Sequence, residues 1–377
     1  MQDFVVVGGG VMGCLSALNL LAAGCRVTLL ERGVCGREAS WAGGGIVSPL
    51  YPWRYEEPVR ALANWSQGFY PTLAAQLLAE TGIDAQVEPC GLLWLDHAER
   101  QQALAWAKTH QQPLTEVSND FIYQRVPQLA SGYQGALWQA DLANLRNPRL
   151  LKALRARLLQ FAEFDLHEHS PAAGLLLEGA RVVGVRTATA EHRADAVVVA
   201  TGAWTGDWLM HAGISVPVEP VKGQMLLYKR EPGWLQSVVL HEGRYAIPRQ
   251  DGHILIGSTL EHAQYDKRTT AEALQSLRQS AEALLPDLAA MAPVAQWAGL
   301  RPGSPEGVPY IGPVPGLDGL WLNAGHYRNG LVLAPASCRL LADLLLQREP
   351  ALDPQPYLPA GRIQSVASGD KQTDLIV

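Results

Sequence analysis

The chain has 377 residues, 48% of them hydrophobic and 18% charged; such a composition can bury a sizeable core, and the length suits about two domains. A formal net charge of −6 provides no global basic field to gather nucleic acid or anionic lipid, so neither is expected as a partner. No apolar run reaches the roughly 20 uncharged residues of a membrane span, so the expectation is a soluble cytoplasmic protein with no membrane partner.

Residues 3–7, Asp-Phe-Val-Val-Val, read as an apolar strand. The strand pattern begins almost at the first residue, so a cleaved leader would have to destroy it. Gly8-Gly9-Gly10-Val11-Met12-Gly13 follows, then an Ala/Leu-rich helix to about Ala23 that Gly24 stops. A second strand, 26–30, ends at Glu31, about twenty residues past the glycines, where a dinucleotide fold carries its ribose-binding carboxylate. In that reading Gly8 permits the tight turn, Gly10 lets a pyrophosphate approach the backbone, and Gly13 lets the helix pack on the strand. The free N–H groups at the helix start then face the phosphate charge. Glu31, with no arginine cluster beside it, favours a free ribose diol and hence FAD or NAD over NADP.

Ala39-Ser40-Trp41-Ala42-Gly43-Gly44-Gly45 decides between those two. Three consecutive glycines serve neither helix nor strand propensity; they suit a loop whose backbone runs along a flat ring such as isoalloxazine. Gly45 leaves room there for substrates larger than glycine. Cys14, Cys25, Cys35, Cys90 and Cys338 are odd in number and form no CxxC pair, so they read as reduced packing thiols. The i, i+2 pair His167 and His169 has no cysteine ligands near it, and no metal is expected.

Further along, 148–162 reads as a helix and 193–199 as a buried strand ending in Ala200-Thr201-Gly202. Pro217 and Pro220 favour an extended chain crossing between domains. The segments 224–228 and 253–257 suit half-buried strands, and 270–285 a covering helix. Arg301 sits among small and apolar neighbours in Trp297-Ala298-Gly299-Leu300-Arg301-Pro302-Gly303. An arginine there is unpaired unless an anion arrives or an acid such as Glu306 reaches it; a carboxylate in an apolar pocket needs such a planar fork. Arg328, just before a helix at 331–346, is the second candidate cation, with capping of local carbonyls as its plainer role. That helix would direct its positive N-terminus at the ring of the cofactor.

In this order VVVGGGVMG, the Glu31 strand end, ASWAGGG, VVVATGAW, PVEPVKGQM, WAGLRPGSPEGVPYIGP and AGHYRNGLVLAP resemble the D-amino-acid oxidase family of FAD-dependent oxidoreductases. The bacterial glycine oxidases of thiamine thiazole synthesis are the nearest branch, and the likeness covers residues 1 to about 350. The resemblance implies an α/β fold: a Rossmann-like FAD-binding domain (1–83, 147–217 and 297–361) interleaved with an antiparallel-sheet, α+β substrate-binding domain (84–146 and 218–296). A tail, 362–377, carries no pattern.

The same resemblance puts FAD against Val11, Met12, Glu31, Arg32, Ala39, Ser40, Gly43, Gly44, Gly45 and the backbone of Ala172. It adds cofactor contacts at His326, Tyr327, Arg328, Asn329, Gly330, Leu331 and Val332, and gives Tyr245 a share, with Arg301 and Arg328, in holding the substrate carboxylate. Arg244 and Arg249, which flank Tyr245, read as structural. No cysteine lies between Cys90 and Cys338, where relatives attach flavin covalently, so FAD is expected to be non-covalent. The implied reaction is oxidative deamination of glycine or a small amine by hydride transfer to flavin N5, with dioxygen as acceptor and imine and hydrogen peroxide as products. Oxidases of sarcosine or D-amino acids, a quinone-linked dehydrogenase and a tRNA-modification domain are the other readings within the family, and a tetramer follows by analogy alone.

Overall fold

A computed structural model describes residues 1–96 and 98–365. Asp3–Val7 is an inner strand of a six-stranded sheet in the order Tyr310–Pro313, Leu320–Ala324, Ala196–Val199, Asp3–Val7, Arg26–Leu30, Phe164–His167. Neighbours run parallel except Tyr310–Pro313, which folds back antiparallel on Leu320–Ala324. A parallel sheet must be covered on both faces, which is why these strands are valine-rich rather than alternating. Phe4, Val6, Val27 and Leu29 pack under the helices Val11–Ala22, Glu57–Thr81, Asn147–Leu158 and Gly330–Leu345. Val5, Val7 and Val197 face Val182 and Val185 of a three-stranded antiparallel sheet, Gly174–Glu178, Arg181–Arg186 and Glu191–Arg193.

The second sheet has eight strands in the order Ala295–Gly303, Glu219–Lys229, His253–Gly257, Arg244–Pro248, Val238–His241, Leu92–Trp94, Gly135–Gln139, Thr115–Ser118. It is antiparallel apart from the pair Val238–His241 and Leu92–Trp94. One face packs on the helix Ala271–Leu284 through Leu277, Ala281 and Leu284. That helix starts where Thr270 Oγ1 accepts the Ala273 N–H at 3.2 Å, the usual N-cap bond.

Several boundaries differ from the sequence expectation. The helix expected to reach 162 ends at Leu158, and the one expected over 331–346 spans Gly330–Leu345. Glu57–Thr81 is not among the expected helices, because Gly68 and Pro71 interrupt its propensity; Val59, Leu62, Tyr70, Leu73 and Leu77 nevertheless recur at helical spacing, and their burial holds it as one helix. The expected division at 296/297 falls inside the strand Ala295–Gly303, which pairs along its whole length with Glu219–Lys229. Arg301 therefore stands on the eight-stranded sheet, opposite Val221. Gln364–Ser365 pairs with Ile214–Ser215, and Arg362 donates to the carbonyls of Val308, Pro309 and Pro356. The expected tail from residue 366 onward lies outside the described residues.

Candidate active site

The strand ends of the six-stranded sheet and one face of the eight-stranded sheet enclose a cleft of about 1840 Å³, open solvent included. Its cavity proper, about 370 Å³, lies within the roughly 300–1,000 Å³ of ligand pockets, and it runs from the glycine turn at Gly8 to Arg301, an extended course that suits an elongated dinucleotide.

Its first wall is the turn after Asp3–Val7. Gly8, Gly10, Val11 and Met12 line the cleft, while Gly13 stands behind it. A Cβ on Gly13 would collide with the Gly8 carbonyl oxygen, so the helix Val11–Ala22 can start this close to the strand only because residue 13 has no side chain. The Val11 N–H donates to Ser40 Oγ at 2.9 Å, a helix-start donor already taken by the next loop rather than left for phosphate. Glu31 is buried; its Oε2 accepts the Gly9 N–H at 2.7 Å and its Oε1 the Gly33 N–H at 2.8 Å. Each oxygen keeps acceptor capacity for a hydroxyl pair. Beside it the Arg32 guanidinium lies 3.5 Å over the Trp204 ring and bonds Glu38 at 2.8 Å. Ala172 lines the cleft too, with its carbonyl accepting Trp208 Nε1–H at 2.9 Å.

The second wall is the triple-glycine loop, and distant residues hold it from several sides. Asn147 Nδ2 donates to the Ser40 carbonyl at 2.8 Å, and Trp297 Nε1 to the Ala42 carbonyl at 3.0 Å. Arg249 donates to the Gly44 carbonyl at 2.7 Å, and the Leu145 N–H to the Gly45 carbonyl at 2.8 Å. Ala39, Ser40, Gly43, Gly44 and Gly45 thereby all face the cleft. Gly45 corrects one expectation. It holds φ +81°, and its missing side chain faces the Leu145 carbonyl and Asn147 Oδ1, so it opens no space to substrate. Gly44 is the residue that faces the pocket side chains: a Cβ there would come within 2.7 Å of Ile247 Cδ1 and 3.3 Å of the Tyr245 ring.

The third wall is the segment 326–332, which enters the helix Gly330–Leu345. His326, Tyr327, Arg328, Asn329, Gly330, Leu331 and Val332 all line the cleft. Burial drives the His326 imidazole down to about 3, so it is neutral at ordinary pH. His326 Nε2, Asn329 Nδ2, Asn323 Oδ1 and Asn147 Oδ1 are buried with no partner among the described residues, and all four residues line this cleft. Buried polar atoms ordinarily have partners. A long ligand carrying both donors and acceptors supplies them, and FAD is such a ligand, so the residues present fit it.

At the far end Arg301 lies deep in the protein with its remaining surface open to the cleft. One terminal nitrogen donates to the carbonyls of Lys222 and Thr259, each at 3.3 Å, and the other to Ser258 Oγ at 2.7 Å. Among the described residues its hydrogen-bond partners are all neutral oxygens; Glu306, the acid that the sequence offered as its alternative partner, is exposed in the turn Pro305–Gly307. Burial lowers the Arg301 pKa, and the nearby positive charge of Arg328 adds to that. Arg328 is exposed and makes no hydrogen bond or ion pair among the described residues, so it is not a carbonyl cap. Tyr245 is buried, and its hydroxyl donates only to Met225 Sδ at 3.3 Å, a weak acceptor that an oxyanion would displace.

Sequence reasoning brought Tyr245, Arg301 and Arg328 to this end but missed what positions them. The Arg301 guanidinium lies flat on Gly223, where any Cβ would collide with it. Ser258 arrives from the end of His253–Gly257. Neither has a local signal; only the register of Glu219–Lys229 against both neighbours puts Gly223 and Ser258 beside Arg301. Trp204, in the VVVATGAW run, was legible as part of a motif but not as the platform for Arg32. Among the described residues no group of three or more His, Cys, Asp or Glu side chains is arranged to hold a metal, and none of the five cysteines lines the cleft.

A family model described as DAO, FAD dependent oxidoreductase, matches residues 3–344. A glycine oxidase of Pseudomonas aeruginosa is 62% identical over 362 residues, 96% of this chain and 100% of that protein. A glycine oxidase of Pseudomonas putida is 58% identical over 96% of this chain and 99% of that protein. The crystal structure of glycine oxidase from Geobacillus kaustophilus superposes with a TM-score of 0.88 at 30% identity, covering 95% of this chain and 98% of that one.

Proposed function

The chain belongs to the DAO family of FAD dependent oxidoreductases, and on that premise we propose that it oxidises glycine, or an amino acid or secondary amine nearly as small, to the imine. It is an FAD-dependent amine-oxidising enzyme. The observation that carries the substrate reading is Arg301: a deep cation, open to the cleft, whose partners are neutral oxygens.

A half-buried charge without a counter-ion is costly, and a substrate carboxylate is the anion that relieves it here. Arg301 and the Tyr245 hydroxyl hold that carboxylate, Arg328 adds positive potential from the rim, and Ser258 and Gly223 fix the plane of the guanidinium. Fixing one end of so small a molecule orients its α-carbon. The apolar surroundings, with Ile46, Leu50 and Tyr245 on the wall, disfavour an ammonium and favour the neutral amine. Its own lone pair assists loss of the α-hydrogen, so no side chain is assigned as base. FAD, when bound without a covalent link, supplies the acceptor for that hydride, and dioxygen returns it to the oxidised form with release of hydrogen peroxide.

Among the described residues no helix is long and apolar enough to cross a membrane. Five free thiols support a reducing compartment, the cytoplasm, as the place of action. The imine hydrolyses to glyoxylate and ammonia, or feeds thiazole formation if a partner enzyme consumes it first; a tetramer is the assembly we propose by analogy with this branch.

The test is peroxide release from purified yellow protein offered glycine, sarcosine, D-alanine and methylamine in air. Glycine should be among the fastest and methylamine, which has no carboxylate, the slowest. Turnover that needs an added quinone in place of dioxygen would make the protein a dehydrogenase and overturn the oxidase reading.

A further inference from the structure

Arg249 has no place in the chemistry described so far. It is buried, at 7% exposure, on the residue after the strand Arg244–Pro248. Its guanidinium makes three bonds of 2.7 Å, to Asn144 Oδ1, the Leu145 carbonyl and the Gly44 carbonyl. All three acceptors are neutral. The acids in its neighbourhood are engaged elsewhere: Asp251 pairs with Arg146 at 2.6 Å, and Glu88 accepts from Gln250 Nε2 at 2.5 Å. Burial lowers the Arg249 pKa to about 10, so it stays charged at neutral pH.

Two features set this arginine apart from an ordinary core cation. First, its partners lie on the loop that forms the cleft wall. Gly44 lines the cleft, its neighbour Gly45 is bonded to Leu145, and Asn144 bridges to Ile46. The fork therefore joins two strands of chain that must stay together for Gly43, Gly44 and Gly45 to present their backbone. Second, a full positive charge stands one peptide unit behind the cleft surface, its hydrogen bonds all to carbonyl oxygens and the carboxylates of Asp251 and Glu88 near it but not bonded to it. A buried charge with no ion-pair partner in hydrogen-bond contact is expensive to keep, and the developing negative charge of a reduced cofactor would interact with it in a low dielectric.

We propose that Arg249 is a positioning residue for the cofactor: its planar fork sets the triple-glycine loop in the form that accepts FAD, and its charge favours the reduced, anionic form of the bound flavin. This rests on the FAD reading of the cleft. The two parts separate chemically. Lysine keeps the charge but cannot make three coplanar bonds; methionine keeps the length and loses both.

The test compares parent, Arg249→Lys and Arg249→Met in two measurements: binding of FAD to apoprotein by fluorescence quenching, and the midpoint potential of the holoprotein against reference dyes. Arg249→Lys should weaken FAD binding on the order of ten-fold, as expected for one or two lost bonds, with the potential unchanged. Arg249→Met should weaken binding at least as much and shift the potential to more negative values. If the methionine variant fails to fold, Asn144→Ala removes one acceptor and leaves the charge; it should weaken FAD binding several-fold without moving the potential. FAD affinity equal to the parent's in every variant that folds would overturn the positioning role, and an unchanged potential in Arg249→Met would overturn the charge effect. A parent protein that takes up no FAD at all would sink the cofactor reading itself, a different outcome from variants that match a yellow parent.

Discussion

The two ends of the cleft are built by different means. The dinucleotide end is made of backbone: a turn packed so closely that Gly13 touches the Gly8 carbonyl, and a carboxylate, Glu31, clamped by two N–H groups of neighbouring residues. The substrate end is made of side chains, Tyr245 and Ser258 from one pair of neighbouring strands and Arg301 from a strand further along the chain, its guanidinium lying on the glycine at 223. Backbone crowding writes itself into local sequence as glycines at fixed spacing. A side-chain cage leaves only scattered residues, whose meaning depends on sheet register. The first end should therefore fail wholesale when disturbed, and the second should fail by degrees.

The sharpest way to break that contrast is Gly13→Ala. A methyl group cannot fit against the Gly8 carbonyl, so the helix start must move; a loss of roughly 4 kcal/mol or more and a colourless or insoluble protein are expected, read by flavin absorbance and thermal unfolding. Retained yellow colour would mean that the turn is looser than the geometry says.

Arg301→Ala should leave FAD absorbance intact and raise the apparent KM for glycine by roughly 2–4 kcal/mol of lost binding. Gly223→Ala, which only pushes the guanidinium off its platform, should raise KM by about ten-fold in steady-state kinetics with cofactor affinity unchanged. If either variant lost FAD instead, the two ends would not be separable.

His326 belongs to the backbone-built end and gives a pH test. Its folded pKa, about 3, lies below the unfolded value of roughly 6.5, so the unfolded chain binds the proton first as pH falls. The stability this neutral imidazole contributes is present above about pH 6.5 and is lost progressively towards pH 3. Urea unfolding of apoprotein at pH 7 and pH 5 should show the parent losing about 2 kcal/mol more than His326→Gln over that interval. Equal losses would mean the ring is solvated.

The smallest effect is expected at Tyr245. Its hydroxyl trades a weak sulfur acceptor for a carboxylate, so Tyr245→Phe should cost about 1 kcal/mol, a few-fold in KM. A collapse of kcat with KM unchanged would give this hydroxyl a part in the chemical step instead.

The legibility of the sequence follows the same division. The strand 3–7, the glycine turn, the helix after it and Glu31 could be read in thirty residues because each depends on its neighbours in the chain. The helix Glu57–Thr81 was missed although its apolar residues recur at helical spacing, because Gly68 and Pro71 lower the propensity of a helix that packing against Gly330–Leu345 enforces. Arg301 was legible as an unpaired cation in an apolar run, but the sheet that carries it was not, because the strand Ala295–Gly303 crosses the point where the domains were expected to divide. Arg249 looked structural for the same reason: its partners at 44, 144 and 145 are about 100 residues away or more, and no local pattern announces them.

The central claim is that a carboxylate-reading cation and a flavin share one cleft. Its most direct test is anaerobic mixing of the yellow protein with glycine and, separately, with methylamine, followed by the oxidised flavin absorbance, in the parent and in Arg301→Ala. Bleaching by glycine alone, at a much higher glycine concentration in the variant, is the expected result. Bleaching by both amines alike, or concentration dependence that is the same with and without Arg301, would contradict it.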